Sequence, residues 1–137
     1  MSTNKTCLVV DDSEIIREIA MRIITDLGLK AAQAQNAPTA VDFCKEHTPA
    51  VVFLDWDLPS MGALDFLRGA GKFDDDKKPT IVLCATENDP QQFTLAKAAG
   101  AAHHILKPFD KTVIAEKLAE IGLIEGAMKS EKSAVAQ

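Results

Sequence analysis

The stretch Val51–Phe66, VVFLDWDLPSMGALDF, decides the reading of this chain. Its apolar opening has the length and character of a strand buried on both faces, and the apolar run, Ala50–Leu54, stops at Asp55. A second carboxylate, Asp57, and a proline, Pro59, follow before a helical pattern takes over from about Ala63 to Ala70. A core strand that ends in a carboxylate and passes into a helix is the front half of a β–α–β unit. The rest of the chain repeats it.

Upstream, TCLVV (6–10) runs into Asp11 and Asp12, and Ser13 can cap a helix. That helix carries Ile15, Ile16, Ile19, Ile23, Ile24 and Leu27 as an apolar stripe and meets a stop signal at Gly28. AAQA (31–34) is a weak strand, after which Asn36 and Pro38 open a helix running to about His47. Downstream, GKFDDDKK (71–78) reads as a solvated loop and TIVLCA (80–85) as a buried strand. Asp89-Pro90-Gln91-Gln92 supplies a cap, a proline at the first helical position and a glutamine at the third; that helix stops at Gly100. AHHIL (102–106) is the fifth strand. Asp110 caps a last helix with Ile114, Leu118 and Ile121 on one face, ended or kinked by Gly122. Five strands alternating with five helices predict a doubly wound α/β fold, a five-stranded parallel sheet covered on both faces by right-handed crossovers.

The 137 residues suit one domain, and 47% hydrophobic and 26% charged residues are ordinary for a globular protein. A net charge of −5 argues against an electrostatic nucleic-acid binder. No apolar run is long enough to span a membrane, and the N-terminus lacks the pattern of a signal peptide, so a cytoplasmic location is expected. Cys7, Cys44 and Cys84 follow no metal or redox spacing and read as small buried hydrophobes. The domain is expected over residues 1–122, with a frayed tail over 123–137.

In such a fold, polar groups gather beyond the carboxyl ends of the strands. There the sequence delivers Asp11 and Asp12 from strand one, Asp55 from strand three, Thr86 and Glu87 from strand four, and Lys107, followed by Pro108, from strand five. Carboxylates brought within about 4 Å of one another repel by several kcal/mol at an effective dielectric of about 20. Such a cluster calls for a cation, and Mg²⁺, which keeps several waters and needs few protein oxygens, fits best. With the metal present, one carboxylate can act as a nucleophile towards phosphorus, while the metal and an ammonium group neutralise the transferring phosphoryl group.

The motifs LVVDDS (8–13), LDWDLPSM (54–61), CATEND (84–89) and LKPF (106–109) together resemble a response-regulator receiver domain, of the stand-alone chemotaxis type, over about residues 5–122. The resemblance implies a flavodoxin-like sheet order. It makes Asp55 the phosphoacceptor, and Asp11 and Asp12 the acidic pair that holds Mg²⁺, one of them through water. The backbone carbonyl of Asp57 becomes a further ligand, and Lys107 the phosphate-contacting lysine, with a cis bond often preceding the next proline. It implies a histidine kinase or histidine phosphotransfer protein as donor. The expected target is a protein docking on helix four, strand five and helix five, a surface holding Gln91, Gln92, Lys97, His104, Lys111 and Lys117. No nucleic acid or membrane partner is implied, and no enzyme beyond self-phosphorylation from small donors and autodephosphorylation.

The chain also departs from the family pattern. Counting without gaps places Ala85 where relatives carry Ser or Thr, with Thr86 one residue later, and His104 where many carry Tyr or Phe. Thr86 can substitute only if the strand ends early or bulges, since neighbouring strand residues face opposite ways. Met61-Gly62-Ala63 stands for the usual Met-Asp-Gly, and Asn36-Ala37-Pro38 lacks the glycine that usually follows strand two. These departures touch the conformational switch more than the chemistry, and weaker coupling is expected. His103 and His104 read as one buried and one exposed strand residue, and Trp56 as a residue of the pocket rim. Competing readings are a phosphorelay intermediate or phosphate sink, a phosphorylation-independent binding module, and a haloacid-dehalogenase-type phosphatase using Asp55 and Asp57. The upstream position of the acidic pair and the lack of room for a cap domain oppose the last.

Overall fold

The computed structural model describes residues 5–124. Five apolar segments form the strands β1 (Thr6–Val10), β2 (Lys30–Ala34), β3 (Val51–Asp55), β4 (Thr80–Ala85) and β5 (His103–Leu106). They alternate with α1 (Glu14–Asp26), α2 (Ala37–His47), α3 (Gly62–Ala70), α4 (Pro90–Ala98) and α5 (Lys111–Ile121). All pairings are parallel, in the order β2-β1-β3-β4-β5. This order reverses direction between β1 and β3, so a crevice opens above those two strands.

The period of two along each strand divides the core. Leu8, Val10, Val52, Leu54, Ile81 and Leu83 face α2, α3 and α4, where Phe66 and Leu67 are fully buried. Cys7, Val9, Val51, Phe53, Val82, Cys84 and Ile105 face α1 and α5, around Ile24, Ile114 and Leu118. Leu123 and Ile124 still pack against this second layer, whereas residues 125–137 of the expected tail lie outside the described residues. All three cysteines are buried and free, and burial pushes the Cys7 and Cys44 thiols up to about 12.

The helix starts follow the capping chemistry in the sequence. Ser13 accepts from the Ile16 amide, Asn36 from Thr39, Asp89 from Gln91 and Gln92, and Asp110 from Val113. Gly122 closes α5 at φ 95°, a left-handed conformation open to glycine at little cost. The stretch after β3 is less regular: Ser60 and Met61 both sit at φ 58° in a short 3-10 turn leading into α3.

The α1 stripe needs correction. Ile15 and Ile19 are 69% and 47% exposed, and the face turned to the sheet is Arg17, Ala20 and Ile24. The helix is apolar over a wider arc than its contact with the sheet, so periodicity alone does not fix its rotation. An arginine occupies the core side instead.

Candidate functional site

Asp55 is the last residue of β3, inside the ladder opposite Cys84, and is 2% exposed. The hydrogen-bond ladder continues one step past the strand ends. The Trp56 amide donates to the Cys84 carbonyl, Lys107 to Ala85 and Asp11 to Ala34. Asp11, Asp55 and Lys107 are therefore held by sheet backbone. Asp11, Asp12 and Asp55 each offer a carboxylate oxygen within 4.8 Å of the others; Asp11 and Asp55 are buried and Asp12 is exposed. Lys107, whose side chain is only 12% exposed, spans the gap. Its Nζ donates to Asp55 Oδ1 at 2.9 Å and Asp11 Oδ2 at 3.3 Å. The Lys107–Pro108 peptide is cis.

Backbone donors orient both buried carboxylates. The Asp57 amide donates to Asp55 Oδ1, and the Ser13 amide to Asp11 Oδ1, each at 2.9 Å. Burial raises the Asp11 carboxyl above its ordinary value. The Asp55 charge adds to this, while the Ser13 amide and Lys107 offset part of it. For Lys107, burial pulls downward, but the hydrogen bond and charge of Asp55, with those of Asp11, together hold the ammonium above its usual range. Three carboxylates against one ammonium leave an excess of negative charge over buried oxygen donors. That donor set fits a hard divalent cation.

The pocket's flank differs from the sequence expectation in its details. β4 runs through Ala85, which is buried and brings no hydroxyl. Thr86 lies beyond the strand and is exposed, and its Oγ1 donates to Asp57 Oδ2 at 3.3 Å rather than reaching Asp55. Glu87 is also exposed and stands apart from the carboxylate cluster. Trp56 is half-buried and its indole Nε1 donates to Gln92 on α4 at 2.5 Å. His104 is exposed and stacks on Phe93 of α4 with ring centroids 3.9 Å apart, and His103 is half-buried beside Glu120.

Sequence reasoning missed Arg17. It is 9% exposed, its Nη1 donates to the Asp11 carbonyl at 2.7 Å and its Nε to Gln33 Oε1 at 2.6 Å. Periodicity offered no signal for it, because the apolar arc of α1 is wider than its contact with the sheet and leaves Arg17 outside the stripe.

The family described as the response regulator receiver domain matches residues 7–119. The chain is 30% identical over 122 residues to the chemotaxis protein CheY-3 of Vibrio cholerae, covering 88% of this chain and 94% of that protein. It is 32% identical over 118 residues to the chemotaxis protein CheY of Thermotoga maritima, covering 85% and 97%. Among solved structures, the chemotaxis response regulator CheY4 of V. cholerae is similar with a TM-score of 0.80 at 25% identity, covering 87% of this chain and 99% of that one.

Proposed function

The chain belongs to the response-regulator receiver family, and on that premise we propose that it takes a phosphoryl group from a phosphohistidine onto Asp55 and signals by protein contact, in the cytoplasm. The observation that carries this reading is the buried Asp55 carboxylate held by Lys107 beside Asp11 and Asp12. An Asp55 oxygen attacks phosphorus, the N–P bond of the donor breaks, and the imidazole leaves with the bond's electron pair and picks up a proton. The product is an acyl phosphate on Asp55. The Asp57 amide and Lys107 hold the carboxylate in place for in-line attack, and Lys107 is free to pass from carboxylate to phosphoryl oxygen as charge moves outward. Asp11, Asp12, Asp55 and the Asp57 carbonyl are the residues to hold Mg²⁺, which supplies charge neutralisation at the transferring phosphoryl group.

The donor is a histidine kinase or a histidine phosphotransfer protein, and the output surface is α4, β5 and α5. The likeness to chemotaxis proteins supports a role in motility. Ala85 favours a second reading, a relay or phosphate sink, because chemistry without a switch hydroxyl suits passing the group on. The test is incubation with Mg²⁺ and acetyl phosphate followed by mass spectrometry. One added phosphoryl group is expected, absent from Asp55→Asn; no adduct under conditions that trap acyl phosphates would overturn the reading. Return of the group to a histidine phosphotransfer protein distinguishes relay from terminal output.

A further inference from the structure

We propose that Arg17 is a positioning residue for the Asp11–Asp12 pair, and that Mg²⁺ affinity at the site depends on it; this rests on the metal-binding part of the reading above. The carbonyl that Arg17 Nη1 holds belongs to the peptide joining Asp11 to Asp12. Fixing that peptide plane fixes the direction in which both carboxylates leave the chain. The same guanidinium reaches Gln33 on β2, next to Ala34, whose carbonyl accepts from the Asp11 amide. Arg17 therefore ties the end of β1 to the edge strand from above, while the ladder ties it from within.

Nothing in the packing of α1 asks for a cation here. Arg17 shares its buried face with the apolar Ala20 and Ile24. Burying a guanidinium is unfavourable unless its donors are met, and among the described residues it forms no ion pair with a carboxylate; its partners are a carbonyl and an amide oxygen. The planar guanidinium meets the two acceptors with two different nitrogens held in fixed relation, Nη1 and Nε. A lysine keeps the charge but presents a point donor on a flexible stem. Groups one step behind metal ligands typically change metal affinity by about 10–100-fold when removed.

The experiment measures Mg²⁺ binding by isothermal titration calorimetry, with thermal melts in EDTA, for wild type, Arg17→Lys, Gln33→Leu and Ile24→Val. Affinity about 10-fold weaker in Arg17→Lys, a smaller loss in Gln33→Leu, and an unchanged value in the destabilised but folded Ile24→Val support the proposal. Unchanged affinity in Arg17→Lys, or an equal loss in Ile24→Val, overturns it. If Arg17→Lys does not fold, Gln33→Leu decides: its side chain is on the exposed edge strand, and unchanged affinity there counts against the clamp. Failure of wild type itself to take up Mg²⁺ overturns the metal-site reading, and the proposal with it.

Discussion

Replacing Asp12 with asparagine should make the protein more stable without Mg²⁺ and less stable with it. Asp12 is exposed, and among the described residues its side chain forms no hydrogen bond or ion pair; Lys107 pairs with Asp11 and Asp55 instead. Its carboxylate nevertheless lies within 4.8 Å of both others. At that separation each like-charge pair repels by about 0.9 kcal/mol in water and about 3.5 kcal/mol at an effective dielectric of 20. Because Asp12 faces solvent, the lower figure applies. Two such repulsions, less the attraction of Lys107, leave a net stabilisation of about 1 kcal/mol for Asp12→Asn. For a domain of this size that is a rise in Tm of about 3–5 °C.

Mg²⁺ reverses the order. Ion at a hundred times its Kd stabilises the wild type by about 2.7 kcal/mol, whereas a variant one carboxylate poorer, with about 10-fold weaker affinity, gains about 1.4 kcal/mol. The difference of about 1.3 kcal/mol exceeds the head start of about 1 kcal/mol. Melts followed by circular dichroism in EDTA and in excess Mg²⁺ should therefore cross. A variant less stable than wild type in EDTA, or one gaining as much from Mg²⁺, would refute the claim that these three carboxylates form one repulsive, cation-binding unit.

Other outcomes follow from particular side chains. Burial, with the charges of Lys117 and His103, lowers the His104 pKa below its ordinary 6.5. A base depressed in the folded state keeps its stabilising contribution above 6.5 and loses it as pH falls through the lowered value. NMR titration should give a midpoint below 6.5, and His104→Phe should blunt the loss of stability in acid; a midpoint at or above 6.5 contradicts this. Ala85→Ser should increase the change that beryllofluoride and Mg²⁺ induce in amide exchange of residues 86–89, and an equally large change in wild type sinks the idea that the missing hydroxyl weakens coupling. Leu118→Ala, at a fully buried site between α5 and the sheet, should cost about 2–5 kcal/mol in urea melts while leaving Mg²⁺ affinity of the folded protein unchanged.

The position of most strands and the gathering of Asp11, Asp55 and Lys107 at the strand ends were legible because buried strands are marked by continuous apolar runs, and each run ends where its polar residue appears, whereas the order of the strands in the sheet came only from the family resemblance. Capping residues marked most helix starts for a similar reason, since Ser13, Asn36, Asp89 and Asp110 act on amides two or three residues away. What escaped was set by contacts between distant segments. The rotation of α1 depends on which arc meets β1 and β2, so Ile15 and Ile19 could not be told from Ala20 and Ile24 by spacing. Arg17 reads as an ordinary helix-surface cation until Asp11 and Gln33 are seen beneath it. The partner of Thr86 depends on how the chain leaves β4, which the strand pattern does not encode.

The division between chemistry and switching has a physical basis. Asp11, Asp55 and Lys107 hang from ladder hydrogen bonds that persist while the sheet does, so the carboxylate–lysine cluster needs no rearrangement to form. On the proposed reading, in which α4, β5 and α5 carry the output, signalling requires that face to prefer one arrangement over another by a large margin: moving a population from 1:99 to 99:1 takes about 5.5 kcal/mol of differential affinity. Among the described residues, the side-chain hydrogen bonds from the loop after β3 to the α4 side are Trp56–Gln92 and Thr86–Asp57, both exposed. Hydrogen bonds of that kind contribute about 1 kcal/mol each. Even if both broke or formed on phosphorylation, they would supply less than half of what a full shift needs, and buried Ala85 has no hydroxyl to add. The remainder must come from the phosphoryl group's own contacts or from a partner that binds the shifted face, and a ligand shifts the equilibrium only by its differential affinity for the two arrangements.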